Sequence, residues 1–411
     1  MISVEEAQRI VLDSVEKLGW EYVELLDALG RVLAEDIIAP EPVPPWDNSA
    51  MDGYALRAED SRGARDEQPV VLRLVGTVRA GEIIEGPVEK GQAVRIMTGA
   101  PLPRGADAVI RQEDTRPCDQ GVLILRHVKV GQNVRYQGED IKAGDQALHA
   151  GTLCRAGVIG LAAALGRKRV AVHQRARVGI LATGDEILGW DEGPTPGKIP
   201  NSNSLALAAQ VVQRGGAPVL LGTVGDTKAL LAARLREGVQ ADLLVTTGGV
   251  SVGEHDIMVE TLQELGAKLL VRKVNMRPGK PFTYALLEGK PIFALPGNPV
   301  SCMVTFELFV RPAMKKMQGH RHVVHSEISA AALQSVLNKD RRPAYLRVIL
   351  DQTNVGYTAR LTGDQGSAML HSMACADGLA VVPGETEVPA GSQLRVLLLG
   401  DQLTAAAPET C

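Results

Sequence analysis

The chain has 411 residues, which at about 100 to 200 residues per domain predicts two to four domains rather than one core. Hydrophobic residues at 45% and charged residues at 22% are an ordinary globular balance and exclude wholesale disorder. With 44 Lys+Arg against 48 Asp+Glu the net charge is -4, so no overall basic field is offered to nucleic acid or an anionic membrane, and 3% aromatic content leaves few platforms on which single strands could stack.

Ser3 followed three residues later by Glu6 forms a capping box, and Ala7, Ile10, Val11 and Val15 recur at helical spacing, which predicts an amphipathic opening helix. Pro40, Pro42, Pro44 and Pro45 then hold the chain extended and mark a boundary near residue 45. Residues 66 to 135 read as a small all-β module, with VVLRLVGTV, QAVRIM, ADAVI and GVLILRHV broken by Gly and Pro. The Ala- and Gly-rich stretch LCRAGVIGLAAALG has helical period and is expected to pack back on the opening helix, making the β module an insertion.

From about residue 170 the strands RVGILAT, APVLLGTV, ADLLVTT and KPIFALP alternate with helices, the pattern of a parallel sheet covered on its faces. The helices are SNSLALAAQVVQRGG, KALLAARLREG, EHDIMVETLQELG and PVSCMVTFELFVRPAMKKM. Ligands of such sheets bind beyond the C-terminal ends of the strands, which here read TGDE, GD, TTGGVSVGEHD and PGNPVS. Residues 319 to 325, GHRHVVH, read as a connector, and residues 326 to 400 return to short strands. The five cysteines are far apart with no C-x-x-C pair, which predicts neither a disulfide framework nor a cysteine zinc site. No apolar run approaches the ~18 residues of a membrane span, so a cytoplasmic protein is expected.

TTGGVSVG, Thr246 to Gly253, ends an apolar strand and leads into a helix, so Thr247, Gly248, Gly249, Ser251 and Gly253 are candidates to cradle a phosphate; a tight strand-to-helix turn is the plainer reading. In Pro296-Gly297-Asn298-Pro299, Asn298 is expected to cap the next helix, and Ser301 offers a hydroxyl in its first turn. Lys268 to Tyr284 carries five cations and no acid, and Arg277-Pro278-Gly279-Lys280-Pro281 holds two of them close together, suited either to an oxyanion or to a solvated face. Asp52, Asp140, Asp185, Glu186, Asp226 and Asp256 collect at turns. Acids near phosphate-binding strand ends suit Mg²⁺, which takes one or two carboxylates beside phosphates and waters; Asp226 as a helix cap and Asp52-Gly53 as a turn are the alternatives. The histidines make no metal case.

Together these segments resemble the molybdopterin molybdenumtransferases, the MoeA and gephyrin E-domain family. The matching stretches are DNSAMDGYA, TGAPLP with GADAV, NVR with GEDI, TGDE, TTGGVSVGEHD, RPGKP, LPGNPVS and Gly366-Ser367, in order over most of the chain. The resemblance implies a multidomain α/β plus β fold. An elongated N-terminal domain would use residues 1–45 and 138–168, an inserted β-rich domain 46–137, a three-layer α/β/α molybdopterin-binding domain 169–318, and a C-terminal β barrel 319–411.

It also implies a reaction: transfer of molybdate onto adenylylated molybdopterin, with Mg²⁺-assisted hydrolysis of the adenylate and release of AMP. Asp52, Thr98, Asp140, Glu186, Asp226 and Asp256 match catalytic positions, with Glu186, Asp226 and Asp256 handling the metal. Thr247, Gly248, Gly249, Ser251, Gly253, Pro296, Gly297 and Asn298 match the substrate pocket, and Arg277, Lys280, Ser301, Arg342 and Ser367 the molybdate site. A homodimer is implied, with molybdopterin adenylyltransferase and molybdoenzyme-maturation proteins as partners and neither nucleic acid nor membrane. The chain departs from the family pattern in four places: Arg277 stands for a frequent Lys, Arg341 for a Gly before Arg342, Ala368 for Gly, and Asp377 for Asn, the last expected to point away from the oxyanion. The competing readings are molybdopterin adenylyltransferase, which the N-terminal acidic motifs and C-terminal domain disfavour, and a non-catalytic pterin-binding scaffold, which the intact acids disfavour.

Overall fold

The computed structural model describes residues 1–189, 192–249 and 256–400. The chain divides into two compact units, one formed by Tyr22–Leu29 and Glu35–Val170, the other by Met1–Glu21, Gly30–Ala34 and the chain from Ala171 onward.

The opening helix α1 (Val4–Ser14) starts as its capping box predicts, with the Ser3 hydroxyl accepting from the Glu6 amide at 3.0 Å. Its buried stripe of Val4, Ala7 and Val11 joins the core that holds Phe306, Phe309 and Met314. The expected pairing with the Ala-rich helix is therefore corrected. That helix, α2 (Ala156–Ala164), belongs to the other unit, and α1 finds its apolar partners in the α/β layers instead.

In the first unit, β1 (Gly53–Leu56), β2 (Val70–Val78), β3 (Gln92–Ile96), β4 (Ala108–Arg111), β5 (Thr115–Cys118) and β6 (Gly121–Ile124) form one sheet in the order β4-β1-β3-β2-β6-β5. Tyr54, Leu56, Leu72, Ile110 and Ile124 make much of its core. Because β1 and β3 are antiparallel with Gly53 opposite Ile96, the residues just outside them, Asp52 and Thr98, come side by side.

The second unit contains β7 (Arg177–Thr183), β8 (Ala217–Val224), β9 (Leu243–Thr247), β10 (Lys268–Val271), β11 (Thr283–Leu287) and β12 (Lys290–Leu295), in the order β8-β7-β9-β12-β11-β10. The four strands read from the sequence are the parallel ones. β10 and β11 extend the sheet in antiparallel fashion within the segment read only as cationic, where flanking lysines and arginines mask two short apolar runs.

Helices α3 (Ser202–Gln213), α4 (Lys228–Gly238), α5 (Ile257–Glu264), α6 (Pro299–Thr305) and α7 (Arg311–Met317) cover the sheet. Alternate residues of β9 serve opposite faces: Leu243 and Val245 meet Leu207, Val211 and Val300 of α3 and α6, while Leu244 meets Leu235 and Met258 of α4 and α5. The result is three layers. Between α6 and α7 the π turn Phe306–Val310 buries Glu307 against Arg214 (3.2 Å) and His325 (3.4 Å). His325 is thus no part of a solvated connector. Its ring nitrogens lie 2.8 Å and 3.0 Å from the carbonyls of Leu398 and Glu307.

The C-terminal strands β13 (Glu327–Ala332), β14 (Ala344–Thr353), β15 (Gly356–Leu361), β16 (Gly378–Val382) and β17 (Gln393–Leu398) close into a barrel in the order β13-β15-β14-β16-β17. Cys118 and Cys302 have free thiols, and Cys375 is disulfide-bonded.

Candidate functional site

The C-terminal ends of β7, β9 and β12 open onto a cavity of about 790 Å³, as the doubly covered sheet predicts. Thr247, Gly248, Gly249, Pro296, Gly297 and Asn298 all line it; Ser251 and Gly253 lie outside the described residues. Gly248 is required here: its φ is +91°, and a Cβ would sit 2.2 Å from the Thr183 carbonyl oxygen. The turn is held by Thr247, whose hydroxyl donates to the Pro296 carbonyl at 3.2 Å.

Asn203 ties this wall together. Its Nδ2 donates to the Thr247 hydroxyl at 2.8 Å and to the Gly297 carbonyl at 2.7 Å, while its buried Oδ1 has no partner among the described residues. Asn201, Ser202 and Asn203 all line the cavity, a role that the helical pattern beginning at Ser202 does not announce. The available signal was a cluster of amide and hydroxyl side chains at a helix N-terminus in a ligand-binding sheet. Asn201 uses its carboxamide oxygen to cap α3 through the Ser204 amide at 3.1 Å.

Glu186 and Asp226 supply carboxylates to the same cavity. Partial burial pushes the Asp226 carboxyl above its ordinary range, and the neighbouring Asp185 and Glu186 charges add to the effect. Asp226 does not cap α4, which has Thr227 at its N-cap without a side-chain bond. Asp256 is the residue that caps, accepting from the Val259 amide at 3.1 Å at the head of α5; burial is the main cause holding its carboxyl up. Among the described residues no three His, Cys, Asp or Glu side chains are grouped to hold one ion, and one oxygen of Asp256 is taken by its helix cap. Glu186 and Asp226 line the cavity together, and two carboxylates fit the one or two that Mg²⁺ takes.

Asn298 occupies the N-cap position of α6, with Pro299 following as expected, but its side chain makes no capping bond. Its Nδ2 instead donates to the Ser367 hydroxyl at 3.0 Å. Ser301 is buried in the first turn of α6. Arg277 is exposed and Lys280 half-buried in a turn pinned to the barrel: the Arg277 amide donates to the Pro343 carbonyl at 2.9 Å, and the Tyr345 amide to the Arg277 carbonyl at 2.8 Å.

Arg342 reaches this turn through Nη1, which donates to the Met276 carbonyl at 3.4 Å, but its fork is held by Asp340 at 2.8 and 2.5 Å. Arg341 points to solvent and pairs with Glu385 at 3.3 Å, whereas Arg342 reaches the Met276 carbonyl, next to the RPGKP segment. Asp377 spends its carboxylate on the barrel, accepting from the Leu350 amide at 2.9 Å.

In the other unit, Asp52 accepts from both the amide (2.7 Å) and the hydroxyl (2.8 Å) of Thr98, and these bonds hold its carboxyl below the ordinary range. Asp140 is exposed in a turn, with its amide donating to the Val43 carbonyl at 3.1 Å.

A sheet of this order, a glycine turn at its C-terminal edge and an acid-lined cavity define a multidomain protein built around a ligand-binding α/β domain. Family models place this class: the MoeA N-terminal region (domain I and II) matches residues 2–166, a "Probable molybdopterin binding domain" residues 179–316, and the MoeA C-terminal region (domain IV) residues 330–399. The chain belongs to the MoeA family of molybdopterin molybdenumtransferases. It is 38% identical to the molybdopterin molybdenumtransferase of a Nostoc species, over 97% of this chain and 94% of that one. With its Bacillus subtilis namesake it shares 36% identity over 98% and 95%. A crystal structure of a Pyrococcus molybdopterin biosynthesis MoeA protein matches with a TM-score of 0.83 at 32% identity, covering 97% of this chain and 99% of that one. The protein is accordingly a transferase of molybdenum cofactor biosynthesis.

Proposed function

We propose that the protein transfers molybdate onto adenylylated molybdopterin, with hydrolysis of the adenylate and release of AMP. The observation that carries this reading is one cavity combining the Thr247–Gly249 turn and Pro296–Asn298 with the carboxylates of Glu186 and Asp226. Hydrolysis puts a water oxygen on one phosphorus of the anhydride, breaks its bridging P–O bond and frees AMP. The two dithiolene thiols then form Mo–S bonds as one oxo group leaves molybdenum, and that oxygen departs as water with the two thiol protons.

The glycine turn and Asn203 bind and orient the phosphate end. Glu186 and Asp226 would hold Mg²⁺, which neutralises phosphate charge when bound. Arg277, Lys280, Ser301, Arg342 and Ser367 offer cations and hydroxyls to the molybdate dianion. Asp52, Thr98 and Asp140 contribute further polar groups of the catalytic set, and Asp256 keeps one carboxylate oxygen beyond its cap.

A homodimer is part of the reading. α2 is apolar all round yet leaves Gly157, Gly160, Ala163 and Ala164 exposed, and a helix without a polar face calls for a partner surface. A molybdopterin adenylyltransferase would supply the substrate and maturation proteins would accept the product, in the cytoplasm; no helix among the described residues is long and apolar enough to cross a membrane. The test is AMP release from adenylylated molybdopterin and Mg²⁺ with and without molybdate, beside Asp226→Ala. Release that requires molybdate and is lost in the variant supports the insertase; binding without cleavage overturns it.

A further inference from the structure

We infer that Arg347 is the positioning residue of the oxyanion site, fixing the loop that presents Ser367 to the cavity wall. The inference rests on the functional reading above. Arg347 lies in β14 with 0% exposure, the largest of the fully buried side chains. A guanidinium is costly to bury, and such groups normally sit against a carboxylate. Arg347 forms no ion pair among the described residues; oxygen atoms of one loop surround it instead. Nη2 donates to the carbonyls of Asp364 (3.1 Å) and Gly366 (3.0 Å), Nη1 to that of Gln365 (3.0 Å), and Nε to the Ser372 hydroxyl (3.0 Å). The Gln365 side chain answers by accepting from the Arg347 amide at 2.8 Å and donating to its carbonyl at 3.2 Å.

These bonds hold the loop on both sides of Ser367. Ser367 then makes two contacts with the head of α6: its hydroxyl accepts from Asn298 Nδ2 at 3.0 Å, and its carbonyl from the Val300 amide at 3.1 Å. Asn298 and Ala368 line the cavity directly. The chain of contacts therefore runs from a fixed fork, through three successive carbonyls, to one hydroxyl at the site. Planar, multiply donating geometry is what an Arg supplies and a Lys cannot. Burial brings the guanidinium down to about 10, still cationic at neutral pH, with the Asp364 carboxylate opposing this shift and the Arg277 charge adding to it.

The test is a double-mutant cycle of Arg347→Lys and Ser367→Ala in the full-length protein, reading the sodium molybdate concentration for half-maximal AMP release. A second readout is the affinity for adenylylated molybdopterin without molybdate. Each single variant should raise the molybdate requirement about tenfold, and the double variant no more than about threefold beyond that, because both remove one contact. Adenylate affinity should stay within about twofold of the parent. An unchanged molybdate requirement in Arg347→Lys, an additive double variant, or an equal loss of adenylate affinity overturns the assignment. A wild-type protein whose AMP release ignores molybdate sinks the insertase reading itself and is told apart by that control alone.

Discussion

Asp340 grips Arg342 through both oxygens, at 2.8 Å to Nε and 2.5 Å to Nη2, so a candidate molybdate ligand is already neutralised by a carboxylate two residues before it. Arg342 in turn holds the Asp340 carboxyl far below its usual range, which keeps the pair ionised at every pH at which the enzyme would be assayed.

Replacing Asp340 by Asn frees the fork for an external oxyanion while the bond to the Met276 carbonyl still orients it. The expected result is a fall of about three- to tenfold in the molybdate concentration for half-maximal AMP release, as for an exposed charge pair of about 1 kcal/mol. A rise would show that Asp340 places Arg342 rather than competes for it.

Asn203→Ala removes two hydrogen bonds across the cavity wall, each worth about 0.5 to 1.5 kcal/mol. Asn203→Asp goes further, setting an acceptor against the Gly297 carbonyl and a negative charge beside the phosphate turn. Affinity for adenylylated molybdopterin, measured by calorimetry, should fall in the order wild type, Ala, Asp. Equal affinities would remove Asn203 from the site.

For Asp256, stability and chemistry separate. Asp256→Ala loses the cap of α5 and should cost about 0.5 to 2 kcal/mol of unfolding free energy, which Asp256→Asn restores. The Asn variant should nonetheless release AMP at under a tenth of the parent rate, about 1.4 kcal/mol of barrier, because it lacks the charge. Full activity in Asp256→Asn would reduce this residue to a cap.

The raised Asp226 carboxyl has a pH consequence. Relative to the unfolded chain its folded form prefers the proton, so its contribution favours folding below the unfolded value of 3.8 and is lost as pH rises through the higher folded value. Without Mg²⁺, Asp226→Asn should thus raise the thermal midpoint slightly at pH 7. It should also abolish the Mg²⁺-dependent rise seen in the parent. A parent midpoint indifferent to Mg²⁺ at all pH values would remove the metal from this cavity.

Ala163 lies exposed on the apolar helix α2. Ala163→Glu puts a charge on the surface assigned to a second copy, and sedimentation should show a dimer becoming a monomer. A dimer that survives the change would move the interface elsewhere.

Much of the secondary structure was legible because its signals are local. The capping box at Ser3, the four apolar parallel strands and the helix KALLAARLREG all appear where their local patterns put them. β10 and β11 were hidden because four- and five-residue strands flanked by cations leave little alternation to read. Caps were less secure than helices. At the heads of α4 and α6 the capping residue types are present, but Asp226 has its amide bonded to the Asp185 carboxylate and Asn298 turns to Ser367. The choice between a local amide and a distant hydroxyl depends on what the fold delivers nearby.

By itself the sequence determined the family and the order of its modules, and it marked TTGGVSVG as a candidate phosphate turn. Those properties reside in contiguous motifs, and a motif keeps its backbone preferences wherever it is placed. Only the tertiary structure decided the partners: Asn203 with Thr247, Arg342 with Asp340, Arg347 with a loop seventeen to nineteen residues away, and α1 with the α/β core. Side-chain hydrogen bonds and apolar contacts act over a few ångströms of space without regard to distance along the chain. Which group a carboxylate or guanidinium serves is therefore settled when the sheets and helices pack.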